Sequence, residues 1–283
     1  METVLESRSK TVVISPDGPF TIIGERINPT GRKAFQAQLQ AGDLSQVEID
    51  VAEQVERADV LDINVGDPMA DEIGLMAQVV PMVQSLTELP LCIDSSVIEA
   101  LEAGLSAYEG KALVNSVTGE DERLEAILPI VARHGAAVIG LANDDEIRME
   151  PEDRVAIAKK IVSVAGEHGI PPGDVVIDPL AMPIGAEPRA VTAFIETLRL
   201  LRDELGVNTT CGASNTSFGL PGRHTLGGAF LSVAQSHGLT SAIMDARSLQ
   251  CVEAVRAGDF LLGRDEWGAR WIAAHRAKQA AAS

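Results

Sequence analysis

The feature that most constrains the fold of this sequence is the regular alternation of short apolar runs with longer segments of helical period. Runs of this length and composition are typical of parallel strands that are covered on both faces. Eight runs can be counted, each bounded by Gly, Asp, Asn or Pro: residues 20–23, 60–63, 91–93, 112–114, 136–141, 175–177, 207–211 and 241–244. The seventh, which contains Asn208, Thr209 and Thr210, is the least apolar.

The segments between the runs have helical periodicity. Segment 44–57 places apolar residues on one side of a helix, and segment 123–134 does the same before Gly135, a common residue just past a helix end. A repeated strand–helix alternation leaves a closed barrel or an open doubly wound sheet. Eight units, with no glycine-rich phosphate loop after the first run, favour the barrel. We therefore predict an α/β fold, a single (β/α)8 TIM barrel over residues 1–283, with an N-terminal extension (1–19) and a C-terminal tail (264–283).

Composition and charge exclude several classes of function. The chain is 46% hydrophobic, and no apolar stretch approaches the roughly 20 residues that a membrane-spanning helix needs. The N-terminus has no secretory signal, so a cytoplasmic location is expected. The net charge of −18 opposes binding to nucleic acid. Three scattered cysteines, and no triad of histidines, predict neither disulfides nor a metal site.

Polar side chains stand where nearly every run ends. In barrels of this class the active site is built at the C-terminal ends of the strands, so these residues are expected to share one rim. Any one of them is explained equally well as a helix cap or a turn residue. The set consists of residues 24–28, Asp62 and Asn64, Asp94 and Ser95, Asn115 and Ser116, Asn143 and Asp144, Asp178, residues 212–215, Asp245 and Arg247.

A rim of carboxylates and amides with few lysines predicts a ligand that presents N–H donors beside ring acceptors. A carboxylate accepts two parallel hydrogen bonds from an amidine-like edge, and an amide both donates and accepts. A pterin has such an edge. His134, His168 and His237 each precede a glycine at a predicted helix end, which is a structural position. No G-x-S-x-G motif supports nucleophilic hydrolysis.

The ordered strand-end motifs resemble the pterin-binding family, which contains dihydropteroate synthase, the folate domain of cobalamin-dependent methionine synthase and methyltetrahydrofolate:corrinoid methyltransferases. The motifs are IIGERIN (22–28), LDINVGDP (61–68), LCIDSS (91–96), ALVNS (112–116), AAVIGL (136–141), VIDPL (176–180) and GASNTSFGLPGR (212–223). GERINPTG and NVGDPMAD resemble the methyltransferase branch more than the synthases. Ser214-Asn215 also replaces the synthases' Ser-Arg or Ser-Lys, and no Lys-x-Arg pair follows the eighth run.

The resemblance implies a methyltransferase that moves a methyl group between N5 of tetrahydrofolate and the cobalt of a corrinoid. It assigns Asp94, Asn115 and Asp178 to the pterin, with Asp178 at its amino and N3 edge, and gives Asn215 the catalytic role at N5. Gly212 and Ser214 would line the pterin, and Asn28, Asn64 and Arg223 would lie near the rim. Phe218 stands where some stand-alone methyltransferases have Gln, as in the methionine-synthase-like branch.

Tetrahydrofolate or methyltetrahydrofolate is thus expected as substrate. The cobalamin is expected on a partner corrinoid protein, because a cobalamin-binding D-x-H-x-x-G pattern is absent from the sequence. The resemblance also suggests a homodimer formed through barrel helices. The direction of transfer stays open. Two alternatives remain: a dihydropteroate synthase, and a folate-binding module without catalysis.

Overall fold

Seven parallel strands and one further extended segment form a closed barrel in the computed structural model, which describes the backbone of residues 1–282 and the side chains of residues 1–276 and 279. The spatial order of the strands is β8-β7-β6-β5-β4-β3-β9. Their bounds are β3 (Thr21–Ile27), β4 (Val60–Asn64), β5 (Leu91–Asp94), β6 (Leu113–Val117), β7 (Ala137–Leu141), β8 (Val175–Asp178) and β9 (Ser241–Met244).

Segment 207–212 closes the ring between β8 and β9. The Thr210 N–H donates to Ile177 O at 2.9 Å on one side, and the Ser241 N–H donates to Thr209 O at 3.0 Å on the other. Parallel bridges to both strands accompany these bonds. The chain is therefore a (β/α)8 barrel, as the eight apolar runs predicted.

The seventh run differs from the prediction because it forms isolated bridges instead of a regular strand. Hydrogen bonds between side chains and backbone replace part of the regular backbone pairing in this run. The Thr209 N–H donates to Thr240 Oγ1 at 2.9 Å, and Asn208 Nδ2 donates to Ile14 O at 2.8 Å. The same residues that make this run the least apolar thus make it irregular.

Helices follow the strands and cover the outside of the barrel. The predicted helix over 44–57 is shorter in the structure, since it ends at Ala52 and residues 53–57 form turns. The helix before Gly135 ends at His134, and Gly135 takes the predicted left-handed conformation with φ 60°. The helices are α1 (Lys33–Gln40), α2 (Ser45–Ala52), α3 (Glu72–Leu86), α4 (Ile98–Ala107), α5 (Asp121–His134), α6 (Pro151–Glu167), α7 (Ala190–Glu204), α8 (Arg223–Ser236), α9 (Leu249–Leu261) and α10 (Ala269–Ala282). Within the described residues, none is long and apolar enough to cross a membrane.

The N-terminal residues form a hairpin that closes the bottom of the barrel. Strand β1 (Thr3–Glu6) pairs with β2 (Thr11–Ile14) in antiparallel register. Leu5 and Ile14 are fully buried in one cluster with the residues that fill the barrel interior: Ile23, Val60, Cys92, Leu113, Ala137, Ile139 and Val176. The predicted extension is therefore part of the core packing.

Truncating Leu5 to alanine is expected to lower the free energy of unfolding by about 2–5 kcal/mol, because it leaves a cavity among side chains that have no exposed surface. Urea denaturation followed by circular dichroism measures this change. Val13→Ala on the same hairpin is the control, since Val13 is 41% exposed. Equal stabilities of the two variants would contradict the plugging role of Leu5.

Candidate active site

The polar rim arises from the two-residue period of the barrel strands. Side chains at alternate positions face the same side of a strand, so a residue two positions after an interior apolar residue also faces the interior. Five inward positions become polar in this way at the C-terminal ends of the strands. They are Glu25 after Ile23, Asp62 after Val60, Asp94 after Cys92, Asn115 after Leu113 and Asp178 after Val176.

Asn64, Asp94 and Asn115 form one row across three strands. The β4–β5 register pairs Asn64 with Asp94, and the β5–β6 register pairs Asp94 with Asn115. Asn64 Nδ2 donates to Asp94 Oδ2 at 2.9 Å. One layer deeper, Asn115 Nδ2 donates to Asp62 Oδ1 at 3.3 Å. The structure thus brings these three predicted site residues together.

Asp94, in the row, forms a carboxyl pair with Asp62, which lies one layer deeper. Burial and the neighbouring Asp94 charge raise the pKa of Asp62 well above its usual range. Burial raises the pKa of Asp94 to about 6, against the hydrogen bonds from Asn64 and Asp62, which lower it. Two buried carboxyl groups this close cannot both ionise cheaply, and the pKa values of both are raised.

Asp178 ends β8 and is 7% exposed. Burial raises the pKa of Asp178 to about 7. Two contacts act in the opposite direction and lower it: the Leu180 N–H, which donates to Asp178 Oδ1 at 2.7 Å, and the charge of Arg154. The fully buried Arg154 side chain supports this loop, because its Nη1 donates to Pro179 O at 2.8 Å. Asp178 is therefore a buried carboxyl group at the strand end whose pKa is raised by burial and lowered by backbone hydrogen bonds and the Arg154 charge.

The 3-10 turn Ala213–Asn215 contains two of the predicted residues, Ser214 and Asn215, and the third, Gly212, directly precedes it. The side chain of Asn215 folds back over Gly212, since a Cβ added at Gly212 would lie 2.8 Å from Asn215 Nδ2. Ser214 Oγ donates to Glu25 Oε1 at 2.6 Å. Asn215 is itself exposed, so its amide is available to a ligand.

Arg223 and Asn28 lie on the rim in supporting positions. Arg223 Nη2 donates to Ser214 O at 2.8 Å, and its guanidinium lies 5.8 Å from the ring centroid of Phe218, which is 66% exposed. Asn28 Oδ1 accepts a hydrogen bond from the Thr30 N–H at 2.9 Å and so closes its own turn. The structure does not join Asn28 to the carboxylate row.

Glu25 and Asp62 are the inward-facing carboxyl groups that the motif-based selection of site residues omitted. Burial raises the pKa of Glu25 to about 7, the Ser214 hydrogen bond lowers it, and the Asp245 charge raises it further. The signal for both residues was present in the sequence. Each stands two positions after an apolar strand residue that faces the barrel interior, Ile23 before Glu25 and Val60 before Asp62.

Cavity volume alone would place the site elsewhere. A cavity of about 630 Å³ lies outside the barrel between α9 and α10, and its lining of Arg57, Arg256, Arg270, Glu56 and Glu253 mixes both charges. The rim contains a smaller cavity of about 150 Å³ beside Glu25, Ser214 and Asp245. The convergence of inward polar side chains, with their raised carboxyl pKa values, identifies the rim as the candidate site.

Comparison with known proteins identifies the family of the chain. Residues 24–245 match the family described as pterin binding enzyme. The chain is 30% identical over 264 residues to a methylcorrinoid:tetrahydrofolate methyltransferase of Eubacterium limosum, covering 90% of this chain and 96% of that protein. It is 31% identical over 264 residues to a methionine synthase of Mycobacterium tuberculosis, covering 88% of this chain and 22% of that larger protein.

Solved structures of dihydropteroate synthases share the fold. One from Thermus thermophilus has a TM-score of 0.62 and 23% identity, covering 91% of this chain and 99% of that one. One from Xanthomonas albilineans has a TM-score of 0.66 and 20% identity, covering 93% and 98%. The family match extends over most of the barrel, from the end of the first barrel strand to the end of the last, and so this chain belongs to the pterin-binding enzyme family.

Proposed function

We propose that this protein transfers a methyl group between N5 of tetrahydrofolate and the cobalt of a corrinoid carried by a partner protein. One observation carries the proposal: the turn with Ser214 and Asn215 stands on the same rim as a row of carboxylates and amides suited to a pterin. The similarity to the Eubacterium limosum methyltransferase along 96% of its length supports the same reaction.

The rim residues divide into two groups in this proposal. Asp178 accepts the two parallel N–H bonds of the pterin amino and N3 edge, as a carboxylate does for an amidine-like group. Asp94 and Asn115 bind the ring positions opposite, with Asn64 fixing the orientation of Asp94 through the 2.9 Å bond between them. Gly212 and Ser214 line the ring. Arg223 holds the backbone of the turn through Ser214 O.

Asn215 acts at N5. The methyl group of methyltetrahydrofolate is bound to a tertiary amine, and an amide-like anion would be a very poor leaving group, so N5 must gain a proton. The Asn215 amide oxygen accepts a hydrogen bond from N5–H⁺ without titrating itself, whereas a carboxylate would hold the substrate as a stable ion pair before reaction. The bond strengthens as positive charge develops, which is the condition for lowering the barrier.

The corrinoid acts as the second substrate and approaches the open rim. Transfer from methyltetrahydrofolate to the corrinoid and transfer in the reverse direction use the same site and the same transition state. The geometry is therefore compatible with either direction. We further propose that residues 1–283 act as one pterin-binding barrel domain and that the cobalamin belongs to the partner. The homodimer suggested by the family resemblance remains a prediction.

A spectroscopic assay tests the function directly. Under reducing conditions, we expect the protein and methyltetrahydrofolate to convert free cob(I)alamin into methylcobalamin, followed by the loss of the cob(I)alamin absorbance. Binding of methyltetrahydrofolate without any conversion would indicate a folate-binding module. Release of pyrophosphate that depends on p-aminobenzoate would instead indicate a dihydropteroate synthase.

A further inference from the structure

Glu25 is a buried carboxyl group that the pterin-binding roles above leave without a task. It faces the barrel interior at the end of the first barrel strand, and Ser214 Oγ lies 2.6 Å from its Oε1. No lysine or arginine in the described part of the chain forms an ion pair with it, although several ion pairs occur elsewhere on the rim, such as Arg247 with Asp245. A largely buried carboxyl group without an ion-pair partner favours its neutral form.

The groups around Glu25 do not compensate its charge. The charged and titratable side chains that face it come from five segments: Asp62, Cys211, Arg223, Asp245, Arg247 and Cys251. Asp245 repels a charge on Glu25, whereas Arg223 and Arg247 offset part of this repulsion, and Arg247 is itself bonded to Asp245 at 2.8 Å. His224 lines the same cavity. Burial dominates this balance and raises the pKa of Glu25 to about 7.

The position of Ser214 links Glu25 to the reacting end of the pterin. Ser214 and Asn215 are adjacent in one 3-10 turn, and Asn215 is the residue proposed to act at N5. Arg223 fixes the carbonyl of Ser214, so the turn is held while its hydroxyl stays bonded to Glu25. A cavity of about 150 Å³, lined by Glu25 and Ser214, is large enough for water beside the carboxyl group.

We propose that Glu25 is the proton donor of the methyl-transfer reaction and that Ser214 Oγ relays its proton to N5. This inference rests on the proposed function. Methyl transfer from folate to cobalt consumes one proton: N5 of methyltetrahydrofolate takes up H⁺, the C–N bond then breaks with its electron pair staying on N5, and Co(I) supplies the pair of the new Co–C bond. The product is N5–H tetrahydrofolate and a Co(III)-bound methyl group.

When Glu25 is protonated, its carboxyl O–H donates to Ser214 Oγ, which reverses the direction of the 2.6 Å hydrogen bond and leaves the Ser214 hydroxyl free to donate to N5. The Glu25 proton then passes to Ser214 Oγ while the Ser214 hydroxyl proton passes to N5. Glu25 ends the transfer as a carboxylate, Ser214 is unchanged, and water in the cavity returns a proton to Glu25. In the opposite direction the same steps run backward and Glu25 accepts the proton. Asn215 cannot supply this proton, because an amide does not titrate near neutral pH.

The decisive experiment measures single-turnover methyl transfer from methyltetrahydrofolate to cob(I)alamin between pH 5.5 and pH 8.5 in wild type, Glu25→Gln and Ser214 variants. General acids contribute about 10²–10⁴-fold, so we expect the E25Q rate constant to fall at least ~100-fold with less than ~3-fold change in folate affinity. The wild-type rate should decline as pH rises through about 7, where Glu25 loses its proton. S214A should be slow and S214T, which keeps the hydroxyl, should recover most of the rate.

Glu204→Gln is the control, because Glu204 is an exposed carboxylate at the end of α7 that pairs with Lys159 and does not line the Glu25 cavity. It should keep the wild-type rate and pH profile. Infrared difference spectra of the free protein give a second readout: the carboxylic C=O band assigned to Glu25 should be present at pH 6, lost at pH 8.5 and missing in E25Q.

The outcomes separate the two hypotheses. An E25Q protein as fast as wild type, with the same pH profile, overturns the relay and leaves the methyltransferase function intact. A purely structural role for Glu25 predicts this result, since glutamine keeps the shape and the contact with Ser214. A wild-type protein that transfers no methyl group overturns the proposed function and the relay together.

Discussion

The Asn215→Ala protein is expected to bind methyltetrahydrofolate with nearly wild-type affinity and to transfer its methyl group roughly 10²–10³-fold more slowly, the usual cost of removing one transition-state hydrogen bond. Asn215 is exposed and folds over Gly212, so its removal leaves no buried partner unsatisfied. Its bond to N5 forms fully only as N5 becomes charged. The loss should therefore appear in the rate constant and not in the dissociation constant.

Single-turnover kinetics with cob(I)alamin, together with equilibrium folate binding, measure both quantities. Gln78→Ala is a suitable control, since its amide lies on the outer surface of α3, where it donates to Gly74 O. A near wild-type rate constant for Asn215→Ala, with intact folate binding, would remove Asn215 from the mechanism.

The Asp178→Asn protein should show the opposite pattern, a loss of folate affinity of about 10–100-fold, because charge-assisted hydrogen bonds contribute roughly 1.5–3 kcal/mol. The amide keeps the size of the side chain but presents an NH₂ donor to a donor edge. In wild type the affinity should increase as pH rises through about 7, where Asp178 becomes a carboxylate. The variant should lack this pH dependence.

The stability of the free protein changes in the other direction. The folded pKa of Asp178 lies above its unfolded value, so the folded state binds the proton more tightly and this group lowers stability as pH rises toward about 7. Asp178→Asn should therefore be at least as stable as wild type at pH 8. Isothermal titration calorimetry and urea denaturation measure the two effects. Asp203→Asn, at an exposed carboxylate of α7 that pairs with Arg199, is the control. Unchanged folate affinity for Asp178→Asn would contradict the proposed contact with the pterin edge.

The sequence was sufficient for the barrel because a parallel strand covered on both faces must be apolar nearly throughout. The seventh run was the exception. The side chains of Asn208 and Thr209 donate to backbone carbonyls, Ile14 O and Gly238 O, and periodicity does not show which contacts these side chains prefer. The role of the hairpin was also missed, since Leu5 and Ile14 become core residues only when distant strands enclose them.

The rim was predicted in outline because the apolar runs show where the strands end. Position at a strand end indicated Asp94, Asn115 and Asp178, and the structure places all three facing inward. Glu25 was omitted because its importance comes from desolvation and from Ser214, which lies 189 positions away in the chain. Asn28 was included because it belongs to the same motif, yet its side chain serves its own turn. Proximity in a motif identifies neighbours along the chain but does not determine which side chains converge.

The hairpin at the bottom of the barrel has a kinetic consequence. With Leu5 and Ile14 filling that end, the barrel has a single entrance, at the rim. If folate lies in the rim and the corrinoid must reach N5 from the same direction, the bulky partner covers the exit of the smaller substrate. Folate must then enter first and leave last, so turnover requires the partner to depart before each new folate binds.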